Sequence, residues 1–218
     1  RCKQPCRRVW RLVDDANHEF IHDGKLFLNA KDLCMIAHVP ELIEAGIDAF
    51  KIEGRMKDVR YSHVVTSCYK EAIESYFDST YTRQKVNQWL KRLVKVHNRG
   101  FHEGFYFQQP SIEEIEREKR GNVSKYQQLY LGKVQSYHEQ SKTANITIES
   151  TPVPLKVGDT LWFTGDNSHA DAVQVIMMEG NKVKTVVRGE NEGPVCVNVR
   201  ITHGVNAGDE VYVIAKKE

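Results

Sequence analysis

The stretch 39–56, VPELIEAGIDAFKIEGRM, decides how the first half of the chain is read. Pro40 suits a first helical turn, Leu42 and Ile43 supply an apolar face, and Gly46 stands where a helix ends in a left-handed residue. From Asp48 the period becomes two. Phe50 and Ile52 fall on one face and Lys51 and Glu53 on the other, which predicts a strand over DAFKIEGR. Beyond it Asp58 is a candidate N-cap, and Tyr61, Val64, Val65, Cys68, Tyr69, Ala72, Ile73 and Tyr76 recur at helical spacing up to Phe77. Helix, strand, helix in this order is the grammar of a βα-repeat sheet or barrel.

Working outward, a further amphipathic helix is expected over 82–97, with Val86, Leu90, Leu93 and Val94 inward, followed by the aromatic loop NRGFHEGFYF at 98–107. Residues 110–128 are polar and charged, a Pro-started helix or linker that marks a domain boundary. Past it the pattern changes. YLGKVQSYH, ANITIES, DTLWFTG, DAVQVIMM, KVKTVVRG, VCVNVRI and DEVYVIA are short alternating or β-branched runs separated by Gly, Asn and Asp, which argues a small antiparallel barrel. LKVGDTL and VNAGDEV repeat a Gly-Asp turn whose simplest explanation is structural, an Asx-type hydrogen bond before a strand. The expected organisation is an α/β class chain: a portion of a βα barrel over 1–80, a helical and loop connection over 81–128, and a small antiparallel β-barrel over 129–218.

Composition narrows the function classes. The 218 residues are 40% apolar and 28% charged, ordinary for a folded domain. No apolar run approaches membrane-spanning length and no signal-peptide pattern precedes the first cysteine, so a cytoplasmic protein without a membrane partner is expected. Five cysteines, an odd number, suit reduced thiols or metal ligands better than a secreted disulfide framework. The net charge of +2 conceals an asymmetry: residues 1–128 carry 22 Lys and Arg against 18 Asp and Glu, and residues 129–218 carry 9 against 11. Arg1, Lys3, Arg7, Arg8 and Arg11 precede any acid, which suits either phosphate contacts or a solvated basic surface.

Polar side chains near the carboxyl end of a barrel strand are expensive unless used, so Lys51 and Glu53 are candidate catalytic groups, with a buried structural ion pair as the alternative. Gly54 lets the chain turn, after which Arg55, Lys57 and Arg60 offer anion contacts, and Arg55 joins the catalytic candidates. Cys68 lies on an apolar stripe and Cys196 in a β-branched run, so both read as packing residues. Cys2, Cys6 and Cys34 stand in polar settings, and thiols beside cations deprotonate readily, which favours metal binding. Three cysteines at this spacing match no closed zinc site. There is no HExxH helix or GxSxG elbow, and His97 and His102 are the one close histidine pair near a loop.

In order along the chain, RCKQPCR, NAKDLC, AGIDAFKIEGRMK with a following tyrosine, HNRGFHEGFY and YLGKV resemble the landmarks of the peptidase U-32 family, the collagenase-like proteases. In that family these segments follow a larger N-terminal part of a TIM-like barrel. The resemblance therefore implies that the chain is the C-terminal part of a longer enzyme. Several members carry an iron–sulfur cluster on four cysteines. By position Cys2 and Cys34 match the third and fourth ligands, and Cys6 matches a further family cysteine, a third metal candidate. Members that hydroxylate RNA without oxygen or with prephenate imply a tRNA-modifying enzyme acting on a uridine of the anticodon loop. Prephenate is then a candidate co-substrate, Arg7, Arg8, Arg55, Lys57 and Arg60 are tRNA contacts, and the 101–107 aromatics either stack a base or dock on the barrel. The family name implies the alternative, a peptidase acting on a protein substrate. A third reading makes the isolated chain an inactive binding module.

Overall fold

The computed structural model describes residues 3–20, 23–54, 57–166, 168–189 and 192–217. The chain divides into two compact units, one of residues 1–57 and 64–125, the other of 58–63 and 126–218.

In the first unit a single turn of 3-10 helix, Pro5–Arg7, leads to a small hairpin of β1 (Leu12–Val13) and β2 (Glu19–Phe20). The Asp14 carboxylate organises its turn by accepting the backbone N–H groups of Ala16 and His18 at 3.0 and 2.7 Å. β3 (Asp32–Leu33) is followed by α1 (Val39–Glu44), α2 (Val59–Phe77), whose start up to His63 is counted with the second unit, and α3 (Arg83–Leu93), and β4 (Phe101–His102) then returns to pair with β3 in parallel. Asp58 does cap α2, accepting the N–H of Tyr61 at 2.7 Å, and Thr82 caps α3 through Lys85. Val64, Val65, Cys68 and Ala72 of α2 are buried, as are Val86, Trp89 and Leu93 of α3. Trp89 Nε1 donates to Glu71 at 2.9 Å, which ties the two helices together. Residues 110–125 form a strap with a 3-10 turn, Ile112–Glu114, and a single antiparallel bridge from Ile115 to Ala30. Asn29, buried to 1% exposure, fixes the strap by donating to the carbonyls of Glu116 and Lys119.

The predicted strand at 48–55 is absent among the described residues. Phe50 and Ile52 are half-buried while Lys51 and Glu53 are exposed, so the alternation is real, but residues 47–54 join no ladder. Alternation specifies which side chains share a face. A strand also needs a partner for its backbone groups. The parallel pair β3–β4 and three helices are the α/β content of this unit.

The second unit is antiparallel β throughout its strands, as the short alternating runs indicate. β5 (Tyr126–His138), β6 (Thr143–Ile148), β7 (Leu155–Lys156), β8 (Thr160–Thr164), β9 (His169–Ala172), β10 (Val175–Met178), β11 (Asn181–Val183), β12 (Thr185–Val186), β13 (Val195–Arg200) and β14 (Glu210–Lys216) follow in order. Eight of them form one sheet, ordered β11-β10-β13-β6-β5-β14-β8-β9, and β12 pairs with β7 apart from it. β9 ends at Ala172 and β10 begins at Val175, yet they lie at or next to opposite ends of this order. Two residues cannot cross a flat sheet of that width, so the sheet curls round until its ends almost meet. One core fills the interior, with Leu131, Ile146, Leu161, Phe163, Ile176, Val197, Val199 and Val211 all essentially inaccessible. The two Gly-Asp turns are built alike. Gly158 and Gly208 have φ of 93° and 90°, and Asp159 and Asp209 accept the N–H groups of Lys156 and Asn206 at 2.7 and 2.8 Å.

Where β5 crosses β6, a Cβ on Gly132 would lie 1.9 Å from the Thr147 carbonyl oxygen. The obstacle is backbone, which a rotamer change cannot relieve. Gly132→Ala is expected to destabilise this unit by about 1–3 kcal/mol, the usual cost of overpacking, read as a lowered urea midpoint. An unchanged midpoint would show that the strands separate there freely.

Candidate functional site

Parallel strands send their carboxyl ends the same way, and in α/β sheets that end is where ligands bind. β3 and β4 are such a pair. Asp32 N–H donates to the Gly100 carbonyl and Cys34 N–H to that of His102, both at 2.9 Å, so Cys34 and the residues after His102 emerge together. Cys34 is half-buried. Burial pushes its thiol above the ordinary value, while the Ile36 N–H and the Tyr69 hydroxyl, both directed at the sulfur, pull it partly back. The Tyr69 oxygen in turn accepts the Met35 N–H at 2.9 Å. Helical spacing places Tyr69 on the α2 stripe but gives no sign of this polar role.

Below the thiol, Asp32 anchors two cations. Arg99 Nη2 reaches its carboxylate at 2.6 Å, the Arg99 N–H donates to it at 3.0 Å, and Lys57 Nζ stands 3.9 Å away. These side chains are only 19%, 18% and 8% exposed. Beside them His38 bridges Glu103 and Glu41, at 3.0 and 3.3 Å. Burial opposes protonation of His38, but the two carboxylates outweigh it and hold its pKa above the ordinary imidazole value. After Gly104 the chain presents Phe105, Tyr106 and Phe107, 81%, 54% and 57% exposed; Phe107 packs one face against the His38 ring, with centroids 4.4 Å apart, and Phe105 is the most open of the three.

The other sequence candidates scatter. Lys51 and Glu53 are both exposed, not buried. Cys2 and Arg55 lie outside the described residues. Cys6 is exposed on the Pro5–Arg7 turn, Arg7 is half-buried and Arg8 exposed. Lys57 faces Asp32, which removes it from the set of surface phosphate contacts. Arg60 needs a further correction: at 7% exposure it is not a surface cation. The reason is helical register, since Arg60, Val64, Cys68 and Ala72 follow one another at four-residue spacing along the buried face. Burial holds the Arg60 pKa below its ordinary value, partly offset by Asp58. Cys68 is core, its thiol pushed up to about 12 by burial. Cys196 is exposed on β13, against the packing role expected of it.

A half-buried cysteine sulfur that accepts an amide N–H and a hydroxyl, and that a bound metal would deprotonate, fits one ligand position of an iron–sulfur cluster. Cys34 meets that description. The described residues offer no set of four such cysteines.

Residues 1–116 match the model of peptidase family U32, more than half the chain. The chain belongs to peptidase family U32. An uncharacterized protease of Methanocaldococcus jannaschii is 36% identical over 98% of this chain, and a collagenase of Porphyromonas gingivalis is 31% identical over 100% of it. A tRNA hydroxylation protein of Bacillus subtilis is 32% identical over 75% of it. The U32 chain spans 51% of the first two relatives and 39% of the third. Among its described residues no helix is long and apolar enough to cross a membrane.

Proposed function

We propose that the intact U32 protein hydroxylates a uridine in the anticodon loop of tRNA, with Cys34 as a ligand of an iron–sulfur cluster. The observation that carries this reading is the shared exit of Cys34 and Phe105–Phe107 at the carboxyl end of the β3–β4 pair. Exposed aromatic faces stack unpaired bases without regard to sequence, at about 1–3 kcal/mol per base. A base held there lies on the same side of the strands as the thiol. Cys2 is the partner ligand by position, and Cys6 a further one. The cluster supplies redox chemistry when bound, with prephenate as the candidate co-substrate. The chain's own residues fix the Cys34 sulfur through Ile36 and Tyr69 and offer the stacking surface. Arg7 and Arg8 are the tRNA phosphate contacts. The TIM-like barrel completes this unit in the longer protein, where Lys51, Glu53 and Arg55 sit as candidate catalytic groups. The protein works in the cytoplasm.

The relatives named protease and collagenase support a second reading, a peptidase. Cys34 argues against itself as the nucleophile, because an activated thiol has a depressed pKa and this one is raised.

The deciding measurement is mass spectrometry of tRNA nucleosides from cells lacking the gene. Hydroxylated uridine is expected to vanish, to return with the full-length gene, and to stay absent with Cys34→Ala. tRNA affinity of the full-length protein should also fall with salt, and Arg7→Glu or Arg8→Glu should each reduce the log–log slope by roughly 0.7–0.9 per phosphate no longer neutralised. Unchanged nucleosides, with gelatin cleaved by the purified full-length protein, would replace this reading with the peptidase.

A further inference from the structure

We propose that His169, Asp171 and His203 bind a divalent transition-metal cation of the zinc type on the β unit, leaving one coordination position open. The site is independent of Cys34. His169 and Asp171 are two residues apart on β9, so the strand turns both to one face. His203 arrives from the turn after β13. One ligand atom from each of the three lies within 4.8 Å of the others. Two imidazoles and a carboxylate are donors of borderline hardness, which select zinc and its neighbours over calcium or magnesium.

The surroundings are those of a positioned ligand set. Asp171 is 6% exposed, and its Oδ2 accepts the N–H groups of Thr202 and His203 at 2.6 and 2.8 Å and faces His203 Nδ1 at 3.2 Å. The carboxylate therefore orients the loop that delivers the second imidazole, as outer hydrogen bonds orient metal ligands elsewhere. His169 stacks on Phe163 with ring centroids 5.3 Å apart, and His203 meets His169 edge-on at 5.3 Å. With bonds of about 2.0–2.2 Å to zinc, tetrahedral ligand atoms sit about 3.4 Å apart. Closing to that distance takes a small swing of the His203 ring, whose side chain is 65% exposed. Both histidines line an open depression of about 920 Å³, shared with Tyr137, Asp166, Ser168 and Asn206. It has room for water or a ligand atom in the fourth position. Three protein ligands with an open position is the arrangement of catalytic rather than structural zinc.

A plain structural role, with Asp171 only anchoring the 202–203 turn, makes a different prediction for the histidines. The test titrates the chelator-treated full chain with Co²⁺ alone, followed by visible absorption, then with Zn²⁺ by calorimetry. Saturable one-to-one binding is expected, with nitrogen–oxygen ligand-field bands and no thiolate-to-cobalt charge transfer. His203→Ala and His169→Ala should each weaken it at least about 100-fold, beyond the tenfold that the mildest outer-shell losses cost. Because His203 is exposed, its variant should keep the far-ultraviolet circular dichroism of the parent. No saturable binding, thiolate charge transfer, or a loss under tenfold in both histidine variants would overturn the site.

Discussion

Phe163→Ala is expected to remove about 3–5 kcal/mol from the β unit, the range for emptying a buried aromatic site. Phe163 is 0% exposed and lies on β8 between β14 and β9, so the vacated volume is enclosed by paired strands that cannot collapse into it. The readout is amide hydrogen exchange on peptides from β5, β13 and β14, which reports this unit without requiring the whole chain to unfold as one. At about 1.4 kcal/mol per tenfold, exchange through global opening should accelerate by roughly 10²–10⁴-fold. Val187→Ala, at a position 62% exposed, should stay within about 0.5 kcal/mol of the parent. A Phe163→Ala loss no larger than that control would mean the core is not the continuous one described.

Asp32→Ala should cost the first unit about 3–5 kcal/mol, the penalty for stranding buried charge. Arg99 and Lys57 would keep their positions with their shared carboxylate gone, and the Arg99 N–H would lose its acceptor as well. Faster exchange at residues 99–102 and 32–34 would report it, since these residues form the parallel pair. The combination with Arg99→Met should regain much of the loss, because it removes one stranded charge and keeps the volume. A loss below about 1 kcal/mol, typical of a solvent-exposed ion pair, would show that water reaches Asp32 freely.

Much of the β unit was legible because each strand carries its own alternation and its own turn. ANITIES became β6, with alternating burial along the whole strand, and both Gly-Asp turns are structural, as their repetition indicates. Divisions inside a continuous β-branched run were not legible. DAVQVIMM reads as one strand but breaks at Val173–Gln174, because its halves serve opposite ends of a curled sheet. KVKTVVRG likewise splits between β11 and β12. In the first unit the same limit appears at Phe50–Glu53, where the pattern is present and the pairing is not. At the candidate site, Cys34 stood out by its polar setting, but its partner Tyr69 was hidden among helix-stripe residues. Arg60 misled by its charge, although its spacing to Val64, Cys68 and Ala72 already placed it inside. His169 and Asp171 were missed because a His-x-Asp pair on a short strand carries no distinctive spacing until His203 folds beside it.

The pairing of β5 with β14, from Tyr126 opposite Lys216 to Lys133 opposite Glu210, sets the timetable of synthesis. β5 leaves the ribosome first and finds β6 at once across a short turn. Its other edge has no partner until the final strand has been made. For that interval residues 126–133 present unpaired N–H and C=O groups along that edge, a template for pairing with another nascent chain. Closure is a late, long-range event, of the kind that folds slowly. Shortening the chain from its C-terminus before Glu210 would make this interval permanent, and such products belong in the insoluble fraction.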